Sequence, residues 1–266
     1  VHLHKKISGI TTMIGYISQA FVFIIGGVLF QINNKLPAFA SLPLLFAAFI
    51  ATFFLVDPYH VTGKIKTSHS INHLKKSVSL FLKSPELKFL FIYYLPVAAV
   101  CTMILNLSSL YLELVKIPIY LIGVVAFVTS MLSAFSSRKA DAIDSLFGEK
   151  MSLVVAQIIL MISLFLLSFM IPYWGMLFYL LVPLSLGFVQ VSVSHRLNVL
   201  VSSKHRATML SINNLGGNLG MFLFFPIAGF FARTMSMSFA MIFLLGLLIV
   251  GVFVLVLFKY LVFSKK

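Results

Sequence analysis

The stretch TMLSINNLGGNLGMFLFF, Thr208 to Phe225, decides how the chain is read. It has no charged residue and is filled with Leu, Phe, Met and Ile, yet it carries Asn213, Asn214 and Asn218 together with Gly216, Gly217 and Gly220. An uncharged apolar run of this length crosses the hydrocarbon of a bilayer as a helix rising about 1.5 Å per residue. A polar side chain left unsatisfied in hydrocarbon is costly, so the asparagines must face protein or water. Gly216 and Gly220 form a small-xxx-small pair that lets a second helix approach closely. The segment is therefore expected to cross a membrane with one packing face and one polar face.

The rest of the chain has the same character. Hydrophobic residues make up 61% of the 266, charged residues only 10%, and 28 are Phe. That is more apolar surface than a water-soluble domain keeps dry. Eight apolar runs of about 20 residues, the length that spans a bilayer, read as spans at 10–30, 38–56, 89–112, 119–135, 153–171, 176–194, 208–231 and 238–258. In lipid only helices and closed barrels satisfy their own backbone groups, and these runs lack the period-2 alternation of barrel strands. The expected fold class is an all-α membrane protein with eight transmembrane helices.

Lys and Arg orient it. All 20 basic residues except Lys35, Lys116 and Arg233 fall at the termini or in one set of connections. Cytoplasmic loops retain positive charge, which places both termini in the cytoplasm of a multi-pass protein expected in the cell membrane. Topology and anionic lipid headgroups thus account for the net charge of +14, and no nucleic-acid partner is expected. The single cysteine, Cys101, lies inside the third span and makes no disulfide within the chain. The first apolar run is too long for a secretory signal, and no small-residue cleavage site follows it.

One connection, 57–86, is far longer than the others and divides the chain. Residues 1–57 hold two spans, 58–86 form a linker, and 87–266 hold six spans. In the linker Ile71, Leu74, Val78 and Phe81 recur at spacings of three and four, with His73, Lys75, Lys76 and Lys83 elsewhere. This pattern predicts an amphipathic helix lying on the membrane surface. Ser84 is placed to cap the third span, with Pro85 at its first helical position.

Polar residues inside the spans locate a candidate site. Ser8, Thr12, Gly15 and Gln19 stripe the first span, and Thr102, Asn106, Ser109 and Glu113 repeat the spacing in the third. Pro183, Gly187, Gln190 and Ser194 do so in the sixth, and Ser211, Asn214 and Asn218 mark the seventh. Scattered hydroxyls of this kind are ordinary glue between helices. Four helices with one polar face each predict a shared cavity, with Gln19, Asn106, Ser109, Gln190, Asn213, Asn214 and Asn218 as its wall. The second and last spans are almost wholly apolar and are expected to face lipid.

With these residues in view, HRLNVLVSSKHRATMLSINNLGGNLG resembles the tenth-to-eleventh helix region of the major facilitator superfamily. SSRKADAIDSLFGEK resembles that family's acidic-Gly-basic loop between helices eight and nine, with Asp144, Gly148 and Lys150 in the matching roles. SGITTMIGYISQAFVFIIGGVL is similar to its fifth helix, without the Gly-Pro of the antiporter signature. The resemblance implies that the eight spans are helices five to twelve of a twelve-helix transporter. They would comprise a six-helix C-terminal bundle and the last two helices of the N-terminal bundle. Family helices five, seven, ten and eleven line the cavity while six, nine and twelve face outward. The missing N-terminal helices are expected as a partner, and without them this chain is not expected to transport.

No catalytic constellation is present in the sequence. His69 and His73 stand four apart without a third ligand nearby, so no metal is expected. GGNLG follows no strand, and there is no Walker A motif. No enzyme activity and no cofactor are expected. Glu113 is the one acid at membrane depth and the candidate for proton coupling, although an interfacial pair with Lys116 also explains it. The family's loops imply a cytoplasmic latch formed by Asp141 and Asp144 with Arg206, and a plain solvated loop is the alternative. The expected function is secondary active transport of a small molecule by alternating access, coupled to an ion gradient, with efflux as one direction. A permease subunit driven by a partner ATPase and a non-transporting truncated fragment remain as the other readings.

Overall fold

The computed structural model describes residues 2–55, 67–169 and 174–263. Helix is the only regular structure among them, in eleven segments. These are α1 (His2–Ile32), α2 (Leu36–Thr52), α3 (Thr67–Lys83), α4 (Pro85–Asn106), α5 (Ser108–Leu114), α6 (Ile119–Phe147), α7 (Glu149–Phe169), α8 (Gly175–Tyr179), α9 (Leu181–Leu200), α10 (Ser203–Thr234) and α11 (Met237–Phe263). Seven rods among the described residues are long and apolar enough to cross a membrane, α8 and α9 together making one. The expected span at 38–56 corresponds to α2, which has only 17 residues. It rises about 26 Å, short of a hydrocarbon core of about 30 Å.

Local chemistry sets the ends of these helices. The Ser84 side chain accepts the Leu87 N–H at 3.3 Å and Pro85 opens α4, as its sequence predicts. Pro183 has no N–H to offer the Tyr179 carbonyl, and the rod breaks at Leu180 between α8 and α9. Gly148, at φ +77°, turns α6 into α7 in a conformation that favours glycine. α6 itself runs twelve residues past the expected end at 135, through Arg138, Lys139 and Asp141. Charges end a membrane span but not a helix, because Arg and Lys are good helix formers.

The core forms around α4. Its Val97, Val100, Cys101, Met103 and Ile104 are buried, and it packs against α9, α10 and α11. The α10 contact uses the glycines of the opening stretch: a Cβ on Gly216 would strike the Phe91 ring, and one on Gly220 would lie 2.9 Å from the Ala99 Cβ. α6 and α9 are joined by serines, with Ser133 Oγ donating to the Pro183 carbonyl at 3.0 Å and Ser137 Oγ to the Gly187 carbonyl at 3.1 Å. α1 lies along α6 through a small-residue seam in which Gly27 faces Gly123. α2 rests on α1 and buries no residue, and α11 leaves Phe253, Val254 and Leu257 exposed.

The linker helix α3 is present, but its apolar stripe is split. Ser77 is buried with its hydroxyl 2.7 Å from His205 Nδ1 on α10, and Phe81 meets Phe91 of α4 edge-on. Leu74 and Val78 remain exposed, joined by Leu82. The side chains of His69, Ile71 and His73 lie outside the described residues, as does the stretch 56–66.

Candidate functional site

α1, α4, α6 and the α8–α9 rod enclose an open cavity of about 800 Å³. Aromatic side chains come from Tyr16, Phe23, Phe30 and Tyr179, and hydrogen-bonding groups from Gln19, Thr102, Asn106, Ser108, Thr129 and Ser130. None of the lining residues is charged. Two of these side chains bond back to α4 itself, Thr102 Oγ1 donating to the Ala98 carbonyl and Asn106 Nδ2 to the Thr102 carbonyl, each at 2.8 Å. Across one edge Tyr16 donates its hydroxyl proton to Gln190 Oε1 at 2.8 Å, which ties α1 to α9. Such a chamber can hold an uncharged molecule with an apolar body and a few donors or acceptors.

The residues expected to share a wall divide into two groups. Gln19 and Asn106 line the cavity, and Gln190 joins it through Tyr16. Ser109 is exposed one position from the lining residue Ser108. The three asparagines of α10 lie elsewhere: Asn214 and Asn218 are exposed, while Asn213 is buried with its amide oxygen unpaired. Glu113 is exposed on the last turn of α5, and its backbone carbonyl accepts the Lys116 N–H at 2.9 Å.

A second polar cluster gathers where α6, α7 and α9 meet. Asp144, only 6% exposed, accepts hydrogen bonds from Ser152 and, at 3.1 Å, from Ser192. Arg196 stands 3.7 Å from Asp144 and 3.8 Å from Glu149. Those distances make an ion pair without a good hydrogen bond, so the two serines supply the satisfaction that a buried carboxylate requires. Arg206 is turned elsewhere, donating from Nη2 to the Asn198 carbonyl at 3.2 Å, and Asp141 is half-buried on α6. The structure thus brings Asp144 together with Arg196.

Sequence reasoning passed over α6 as a cavity wall, although Thr129, Ser133 and Ser137 stand four apart on it. It passed over Tyr16, whose ring looks like any core aromatic, and Arg196, which the charge count assigned to a loop. No protein-family model matches the chain, and no curated protein matches it either.

Proposed function

We propose that the protein is a secondary active transporter of the major facilitator type that carries a small uncharged or amphipathic molecule through the cavity between α1 and the helices that follow the linker. The observation that carries this reading is the cavity itself: uncharged, rich in hydrogen-bonding groups, and placed among membrane-length helices. Transport by rocking needs a seam that can open. The seam between α1 and α6 is built on Gly27 and Gly123, and among the described residues one side-chain hydrogen bond, Tyr16 to Gln190, ties α1 to another helix.

Three further observations support it. Asn214 and Asn218 on α10 leave polar groups uncovered at membrane depth, which is costly in lipid and argues for further helices over this face. The Asp144–Arg196 cluster lies where α6 gives way to α7, the place of the acidic-Gly-basic loop on which the resemblance rests. Lys and Arg are concentrated at one end of the rods, which supports an orientation in the cell membrane with both termini cytoplasmic. Glu113 is the candidate for ion coupling.

The test is access to the cavity from both sides. Asn106→Cys is introduced with Cys101→Ala, and a membrane-impermeant thiol reagent is added to intact cells and to inside-out vesicles. Labelling from both sides, with no labelling of a cysteine at the buried position Leu160, is expected. Failure of the reagent to reach position 106 from either side would mean that the polar groups are packing glue.

A further inference from the structure

The structure turns two faces of α3 to different surroundings. Ser77 and Phe81 hold it against α10 and α4, through the 2.7 Å contact to His205 and the edge-on ring contact to Phe91. The face beside them carries Leu74, Val78 and Leu82, which are 53%, 38% and 58% exposed. With Lys75, Ser79 and Lys83 these side chains line a shallow groove of about 470 Å³. Lys75, Lys76 and Lys83 are all exposed, and the helix contains no Asp or Glu. Lys204, next to His205 on α10, is exposed as well.

The position of α3 selects the occupant. Ser84 alone separates Lys83 from Pro85, the first residue of a membrane-spanning helix. The last turn of α3 therefore sits at headgroup level. A helix there with an apolar stripe and lysines along its border beds the stripe in the acyl boundary and sets its ammonium groups among headgroup phosphates. An acidic peptide would satisfy the lysines but not the leucines, and an apolar protein face would leave the lysines unpaired.

We infer that α3 is a docking site for an anionic phospholipid, with the acyl chain along Leu74, Val78 and Leu82 and the headgroup between Lys75 and Lys83. Ser77 and Phe81 fix the helix so that this groove faces the bilayer. The lipid is a ligand of the linker, distinct from any molecule in the cavity.

The test uses the full chain in nanodiscs of phosphatidylcholine, alone or with 30 mol% phosphatidylglycerol (both compositions about those of common practice, chosen so that the anionic surface attracts lysines). An environment-sensitive fluorophore is attached at Leu82→Cys in a Cys101→Ala background. Phosphatidylglycerol is expected to shift the emission to the blue and make it quenchable by nitroxide-bearing lipid. Each lysine near an anionic surface contributes about fivefold to binding. Lys75→Gln with Lys83→Gln is therefore expected to weaken the phosphatidylglycerol response by about 25-fold if the two act independently, and high salt should mimic the loss. Because the label alters the stripe, native mass spectrometry of the unlabelled protein supplies a second measurement, with phosphatidylglycerol retained by the native chain and lost from the double variant. Equal emission in both nanodisc types, or equal lipid retention by the two proteins, would overturn the inference and leave uncharged lipid or protein as the occupant.

Discussion

Replacing Gly220 by Ala adds one methyl group, and its effect follows from the contact between α10 and α4. The new Cβ would lie 2.9 Å from the Ala99 Cβ and 3.4 Å from Leu95 Cδ2. Two methyl carbons rest at about 3.5 to 4.0 Å, so the helices must separate by up to about 1 Å or the side chains must leave their rotamers. Overpacking of this kind costs about 1 to 3 kcal/mol, against a gain of up to about 1 kcal/mol from replacing glycine in a helix. The net expectation is a destabilisation of about 1 kcal/mol, and at most about 2 kcal/mol. Gly15 is the matched control, since a Cβ there meets nothing within 4 Å, and Gly15→Ala keeps only the helical gain. Cys101, the one cysteine of the chain and fully buried, reports unfolding directly when a maleimide dye that fluoresces on reaction is present during heating. At about 2 to 4 °C per kcal/mol for a chain of this size, Gly220→Ala should lower the midpoint by several degrees and Gly15→Ala should leave it unchanged or raised. Midpoints that move equally, or in the opposite order, would refute the close approach of α10 to α4.

Arg196→Leu should destabilise the protein, though by less than the roughly 3 to 5 kcal/mol of a fully buried pair, because it removes a partly exposed guanidinium from beside the buried Asp144 carboxylate. Adding Asp144→Asn should recover part of that loss in the same dye assay, and no recovery would mean that the pair is not coupled. Tyr16→Phe removes the hydrogen bond to Gln190 and should open the edge of the cavity, raising the labelling rate of a cysteine at Gln19 while the unfolding midpoint falls by no more than about 1 kcal/mol equivalent. In intact cells a cysteine at Asn34 should react with an impermeant reagent and one at Ser203 should not, the reverse pattern overturning the proposed orientation.

How much of this was legible in the sequence depends on how far each signal had to reach. Uninterrupted apolar runs are local, so the helices were readable, and so was the Ser84–Pro85 start of α4. The Gly216–Gly220 contact was readable because four residues bring two glycines to one face. The shortness of α2 was harder to see, since the apolar pattern at 38–56 continues past the last helical residue, Thr52. Stripe logic placed Gln19 and Asn106 at the cavity but could not say which stripes face one another, and Asn214 and Asn218 lie on a different surface of the molecule. Asp144 and Arg196 are 52 positions apart, and no periodicity links them. The rotation of α3 about its own axis was equally hidden, because Leu74, Val78 and Phe81 form one stripe until Phe91 and His205 supply a second environment.

Vesicles carrying the protein, together with the further helices proposed to cover α10, permit the most direct test of the proposed transport. An imposed proton gradient should drive saturable movement of at least one member of a panel of uncharged amphipathic compounds. Asn106→Leu and Gln19→Leu should reduce that movement by tenfold or so, as the loss of a hydrogen bond worth about 1 to 1.5 kcal/mol implies, while Val254→Leu on the exposed face of α11 should leave it intact. Movement that ignores the gradient, or that is equal in all three variants, would contradict the account.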